Sequence, residues 1–283
     1  MTKSKSSIKY VKFEKSFDLK NLNNDNINNI NTVSFDKNYN VSNPFLFKYK
    51  NDLYIFYEKV NIYRISTETD SDIGEIYVMK FIDGKFQNPN LVLTENYGLS
   101  YPFLICVNDI IYMMPKQNKN SLDIYRCVEF PCKWEKEITI LDGKFFNSTI
   151  CFYDNIFYLF TVKLENNEFI EQLYYNSELI STDWILQKNL VGNSKGAGNI
   201  FIHNGKLIRP IYKEYTTNNS SPYMNLGLGT ELDIKSTDKY IQELQFLEIE
   251  LSSKIYTEKI ISNCINNIHT INFIDDVIAF DIY

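Results

Sequence analysis

The sequence predicts an all-β protein, a five-bladed β-propeller. One unit, an apolar segment followed by a two-residue turn and a second apolar segment, occurs five times in the 283 residues. Aromatic residues make up 15% of the chain, with 21 Tyr and 20 Phe, types that favour strands. No segment longer than about two turns keeps a 3.6-residue apolar period, so helix has no sequence support.

The five units read "PFLFKYKNDLYIFYEK", "PFLICVNDIIYMMPK", "STICFYDNIFYLFTV", "GNIFIHNGKLIRPIY" and "HTINFIDDVIAFDIY", opening at Pro44, Pro102, Ser148, Gly198 and His269. At equal offsets lie Lys50-Asn51, Asn108-Asp109, Asp154-Asn155, Asn204-Gly205 and Asp275-Asp276. All but the first pair consist only of residues that tolerate the tight geometry of a short hairpin turn. Hairpins are therefore expected near 44–58, 102–116, 148–162, 198–212 and 269–283. The spacing between them leaves room for two further strands each. "GEIYVMKFIDGKF", "SLDIYRCVEF" and "IEQLYYNSEL" supply them after the first three units, and "YMNLGLGTELDI" with "QELQFLEIEL" after the fourth. Four strands per repeat at this period describe a propeller blade. A β-sandwich has no need of equivalent units. The last hairpin ends the sequence, so "IKYVKFEKSF" and "NTVSFD" near the N-terminus are expected to complete its blade and close the ring, removing an open sheet edge. The whole chain, 1–283, reads as one propeller domain.

Charge and composition exclude several classes. The net charge of −6 is spread with mixed sign and contains no basic block, so nucleic acid is not an expected partner. The basic start lacks an apolar segment behind it and is not a secretory signal. No run approaches the roughly 20 apolar residues of a transmembrane span. Five scattered cysteines fit a reducing compartment, and a cytoplasmic location is expected. Two histidines without a cysteine or aspartate cluster give no zinc site, and "GLGTE" lacks the spacing of a phosphate loop or a dinucleotide fold. No metal and no cofactor are expected.

In each hairpin the start of the first strand and the end of the second share one end, because the strands are antiparallel. Ring closure gathers these ends at one mouth of the central channel. Asn43, Tyr101, Asn147, Asn199 and His269 fall on the incoming strands, and Glu58, Lys116, Arg209, Tyr212 and Glu214 on the outgoing ones. Glu58, after "LYIFY", is the candidate general acid or base, since a half-buried carboxylate has a raised pKa; the alternative has it face solvent or pair with Lys59 or Arg64. His269 is a candidate proton shuttle or hydrogen-bonder to a hydroxyl or phosphate oxygen, or else a structural group. Arg209 offers a planar fork for an anion, or an internal partner for Glu58 or Glu214. Tyr101 and Tyr212 are candidates for stacking on a sugar ring.

Read in order, "NPFLFKYKNDLYIFYEK", "LSYPFLICVNDIIYMMPK", "IYRCVEFPCKW", "NSTICFYDNIFYLFT", "GAGNIFIHNGKLIRP" and "IHTINF" resemble the N-terminal domain family of glucosamine inositolphosphorylceramide transferase and its bacterial relatives. The resemblance runs from Asn43 to the C-terminus. It implies a five-bladed fold related to family 43 glycoside hydrolases and a place in polysaccharide or glycolipid biosynthesis, beside a partner glycosyltransferase. The implied ligand is a saccharide, nucleotide sugar or sugar phosphate. Relatives carry acids where Asn43, Lys116 and Asn147 stand, whereas hydrolysis ordinarily uses two carboxylates. The implied readings are a glycosyl or acyl transferase acting on a sugar, a non-catalytic glycan-binding or assembly module, and a divergent glycoside hydrolase. Asn43, Asn147, Asn199, Tyr101, Tyr212, Lys116 and Glu214 would then contact substrate, with Glu58, His269 and Arg209 in catalysis.

Overall fold

A computed structural model of the chain describes residues 6–12, 31–35, 38–61, 74–166, 168–190, 194–216, 240–252, 255–266, 268–274 and 277–282. They form a five-bladed β-propeller. In chain order the strands begin with β1 (Ser7–Lys12) and β2 (Asn31–Thr32). Blade 1 follows as β3 (Tyr39–Tyr49), β4 (Asp52–Asn61), β5 (Gly74–Ile82) and β6 (Lys85–Leu93). Blade 2 is β7 (Leu99–Val107), β8 (Ile110–Gln117), β9 (Ser121–Glu129) and β10 (Lys133–Asp142). Blade 3 is β11 (Lys144–Tyr153), β12 (Ile156–Glu165), β13 (Glu168–Asn176) and β14 (Ile185–Asn189). Blade 4 contains β15 (Ser194–Gly196), β16 (Phe201–His203), β17 (Lys206–Thr216), β18 (Tyr240–Leu251) and β19 (Tyr256–Asn266). Blade 5 takes β20 (Ile268–Ile274) and β21 (Val277–Ile282) from the end of the chain and β1 and β2 from its start, in the order β2-β1-β21-β20.

Each blade runs as an antiparallel ladder outward from its first strand, which faces the axis. β1 lies along β21, with Lys9 opposite Phe280 and Tyr10 opposite Ala279, so both ends of the described chain share one sheet. In blade 4 the outer strands are β18, which contains "QELQFLEIEL", and β19; the other segment expected there is "YMNLGLGTELDI". That stretch, like Asp275-Asp276, lies outside the described residues. Strands β18 and β19 are the long apolar-rich pair joined by a short connection, which is why they form the outer ladder.

The core lies in the seams between blades. Phe56 of blade 1 packs edge-on to Trp134 of blade 2, with centroids 6.3 Å apart, and Phe45 packs against Tyr101 at 4.7 Å. Each such side chain contributes about 1.5–3 kcal/mol by leaving water. Among the described residues there is no α-helix, and hence none long and apolar enough to cross a membrane.

The axis-facing strands share one irregularity that sets up the mouth. Their pairing slips between Ser42 and Phe45, Ser100 and Phe103, Phe146 and Thr149, and Ile268 and Ile271. These are β-bulges, which bend a strand and re-aim its side chains. Asn43, Tyr101 and Asn147 sit in three of them with φ of 53°, 49° and 49°. In blade 4 the interruption is wider and splits the first strand into β15 and β16. Gly198, at φ 137°, occupies this gap, where a Cβ would fall 1.8 Å from the Ile271 carbonyl oxygen. Only glycine allows the inner strands of blades 4 and 5 to come that close.

Candidate functional site

Side chains of all five blades meet at one end of the channel, at the level of these strand interruptions. Asn43 Nδ2 donates to Glu58 Oε2 at 2.7 Å, and Ser42 Oγ donates to the same oxygen at 2.9 Å. Among the described residues nothing hydrogen-bonds Glu58 Oε1. A circuit of contacts continues around the mouth from there. Lys116 of blade 2 holds its ammonium 4.8 Å above the Phe146 ring of blade 3, and Phe146 meets Phe169 edge-on at 5.4 Å. Lys195 of blade 4 lies over both Phe169 (5.7 Å) and Tyr212 (5.3 Å). Tyr212 packs on His269 of blade 5 at 4.6 Å. His269 Nδ1 is 3.2 Å from Thr270 Oγ1, which donates to Asn43 Oδ1 at 3.0 Å. The circuit therefore returns to Glu58.

Glu58 and Lys116 are enclosed by protein on nearly all sides yet keep some surface open to solvent, as at the floor of a deep recess. Burial pushes the Glu58 pKa up, partly offset by Lys116, the Ser42 and Asn43 hydrogen bonds and His269. Burial pushes Lys116 down; Glu58 opposes this, and Lys195 and Lys144 reinforce it. Both neutral forms thus move closer to working pH, as at many sites that exchange protons. Lys59 does not serve as the partner of Glu58, since its ammonium sits between the rings of Tyr39 (3.8 Å) and Tyr77 (4.3 Å). Arg64 lies outside the described residues.

Other expected mouth residues prove to hold the ring together. Tyr101 is buried; its hydroxyl accepts from the Gly198 backbone N–H at 2.9 Å, bracing blade 2 against blade 4. Burial pushes its pKa up to about 12. Asn147 Nδ2 donates to the Gly196 carbonyl at 2.8 Å, tying blade 3 to blade 4. Tyr212 is buried beneath Lys195 and His269. The side chain of Glu214 lies outside the described residues.

Two further candidates are engaged elsewhere than at the open face of the mouth. Arg209 is buried in the seam between blades 3 and 4, paired with Glu171, with its guanidinium 4.3 Å from the Phe160 ring. It bonds neither Glu58 nor a position open to ligand, because a neighbouring blade already presents a buried carboxylate to it. Asn199 lies within the break in the first strand of blade 4 and lines a depression of about 710 Å³ at the opposite end, among Phe47, Phe103, Ile150 and Phe201.

Several residues went unnoticed in the sequence. Asp281, fully buried, accepts from the backbone N–H of Asn43 at 2.8 Å and of Thr270 at 2.6 Å. Lys195 and Lys144 add charge at the mouth. Gly74 matters by lacking a side chain: a Cβ there would lie 2.4 Å from the Leu99 carbonyl oxygen and 2.8 Å from Glu58 Oε1. Gly74→Ala is therefore expected to displace the Leu99 backbone and the Glu58 carboxylate and to cost about 1–3 kcal/mol, the usual scale of overpacking. A urea titration measures this, and an unchanged midpoint would show that the site has slack.

The fold and mouth define a β-propeller that presents a recessed carboxylate and a group of ammonium ions at one end of its axis. Residues 25–266 match the family described as glucosamine inositolphosphorylceramide transferase 1, N-terminal, and the chain belongs to that family. It is 31% identical over 184 residues to glucosamine inositolphosphorylceramide transferase 1 of Oryza sativa subsp. indica, and 32% identical over 188 residues to the Arabidopsis thaliana protein of that name. Each match covers 60% of this chain but only 24% and 23% of the relative, so the chain spans about a quarter of the length of these curated relatives. In fold it is similar to a mannose phosphorylase from Leishmania mexicana solved with phosphate ion (TM-score 0.57, 10% identity, 87% of this chain and 84% of that one). It is also similar to a family 117 glycoside hydrolase produced by Zobellia galactanivorans (TM-score 0.54, 11% identity, 92% and 76%).

Proposed function

We propose that the mouth binds a saccharide, and that Glu58 moves a proton there during a group transfer in glycan or glycolipid biosynthesis. The observation that carries this reading is the state of the Glu58 carboxylate. One oxygen is pinned by Ser42 and Asn43, and the other has no hydrogen bond among the described residues. A carboxylate held this way, with a raised pKa, suits a general base. It would take the proton of an acceptor hydroxyl as that oxygen bonds to the donor carbon, while the leaving group departs with its electron pair. One base suffices for such a transfer. Hydrolysis in its usual form uses two carboxylates, and Asp281, the acid bonded to the Asn43 and Thr270 backbone, is consumed by those two donors. The name of the family and the sugar-active proteins that share the fold support a saccharide ligand. A partner glycosyltransferase belongs to the same proposal. A second reading, a non-catalytic glycan-binding module, draws on the lack of a second free carboxylate: Asn43 and Asn147 are amides, and both are bonded within the protein.

Glu58→Gln separates the two. Purified protein is tested with nucleotide sugars or sugar 1-phosphates as donors and short oligosaccharides as acceptors, following release of the leaving group. Turnover is expected to fall by about 10²–10⁴-fold with saccharide affinity nearly unchanged. Turnover equal to wild type would remove Glu58 from the mechanism, and binding without turnover in the wild type would favour the second reading. Stability supplies an independent check. A carboxyl whose pKa is higher folded than unfolded binds more protons in the native state, so its contribution falls as pH rises from the unfolded to the folded value. Glu58→Gln should thus match wild type near pH 4 and exceed it at pH 8, the trade expected where a side chain is kept for activity.

A further inference from the structure

Resting on this reading of the mouth as a saccharide site, we infer that Lys116 and Lys195, on either side of the Phe146–Phe169 pair, form a subsite for a phosphate group carried by the sugar donor. The Lys116 ammonium lies on the face of Phe146, and among the described residues no acceptor hydrogen-bonds it. Lys195 lies over the far side of the same aromatic pair, on Phe169, and is itself buried. Lys144 stands within electrostatic reach of Lys116. Lys195 and Lys144 both disfavour the charged form of Lys116, and low local dielectric strengthens that repulsion. Glu58 alone opposes it at Lys116. An arriving dianion would relieve it.

The residue types point to phosphate over carboxylate. A planar carboxylate is matched best by a guanidinium fork, whereas lysines act as point charges around the several oxygens of a phosphate. Arg209, the guanidinium in the adjoining seam, is committed to Glu171. The position also fits the chemistry. Lys116 couples to Glu58 across the recess, so a donor whose phosphate rests on the lysines would hold its reacting carbon towards the open oxygen of Glu58. The phosphate would leave as an anion already neutralised by ammonium ions, and no further reactant is needed.

Calorimetry on the whole chain with pyrophosphate, orthophosphate, glucose 1-phosphate, glucuronate and methyl glucoside tests this, at low and at 0.5 M salt. Pyrophosphate and glucose 1-phosphate are expected to bind wild type at least tenfold more tightly than glucuronate, with affinity falling at high salt. Lys116→Met should weaken both by at least tenfold and leave methyl glucoside within twofold, while Lys85→Met at a distant turn changes neither. Lys195→Met is read only if its melting temperature stays near wild type, and Lys116→Met decides the matter otherwise. Glucuronate binding as tightly as glucose 1-phosphate, or phosphate binding that survives Lys116→Met, overturns the subsite. Methyl glucoside binding without any phosphate binding also overturns it but leaves the saccharide reading standing. Lysine-dependent phosphate binding with turnover indifferent to Glu58→Gln does the reverse.

Discussion

Asp281→Ala is expected to destabilise the protein by roughly 2–6 kcal/mol, because it orphans two buried backbone donors worth about 1–3 kcal/mol each. The strand interruptions at Asn43 and Thr270 free these N–H groups from the ladder, and the Asp281 carboxylate takes one on each oxygen. The bond to Asn43 joins blade 5 to blade 1, between residues 238 positions apart. Blade 5 is also the sheet assembled from both ends of the described chain, so the same carboxylate fastens the ring where it closes. Asp281→Asn keeps one acceptor oxygen and places an amide against the other donor, so an intermediate loss is expected. Urea unfolding of both variants measures the effect. A change below about 0.5 kcal/mol for the alanine variant, the range of ordinary surface substitutions, would mean that water or backbone movement replaces the carboxylate. Because the Asn43 that it anchors also holds Glu58, a loosened variant should lose saccharide affinity as well.

The fold class was legible because the hairpin unit repeats with its turn at a fixed offset, and turn chemistry is local. The bulges were not legible. Asn43 and Asn147 stand one residue before Pro44 and Ser148, which open their units, and their polarity reads as substrate contact. Their φ values of 53° and 49° give a plainer reason for asparagine, which tolerates the left-handed region better than most residues. Tyr101 adopts the same conformation without that tolerance, held by Gly198 and by packing on Phe45. Arg209 and Asp281 give the same sequence signal, a charge inside an apolar strand, yet only Arg209 drew notice. The partner that decides each role lies on another blade, and a non-local partner leaves no mark on local spacing. Lys195 and Lys144 escaped because they lie a few residues before Gly198 and Ser148, where their repeated units open. Glu58 was the most readable candidate, since it follows the apolar run of a strand that the repeat had already placed at the mouth.

The buried pair of Arg209 and Glu171 provides the other large expected effect. Removing one member leaves an uncompensated buried charge, at a typical cost of about 3–5 kcal/mol. Arg209→Met should show that full loss, since Glu171 is then stranded in the seam with, among the described residues, only the Ser194 Oγ–H donating to its carboxylate, at 2.7 Å. Replacing both, Arg209→Met with Glu171→Leu, is expected to recover most of the stability, as apolar substitutes of similar volume often match a buried ion pair. A double-mutant cycle in urea gives the coupling directly. If the double variant falls as far as the sum of the singles, the two side chains do not act as a pair. The cycle also bears on the mouth. Glu171 grips Ser194, the residue before Lys195, so the seam fixes where β15 delivers its lysine. Arg209→Lys/Glu171→Asp would keep charge but shorten the reach. Phosphate affinity should then drop even if the fold survives, because the lysine is withdrawn from the Phe169 face while Lys116 stays in place. Arg209 would thus influence ligand binding without touching ligand, through the position it imposes on a neighbouring strand.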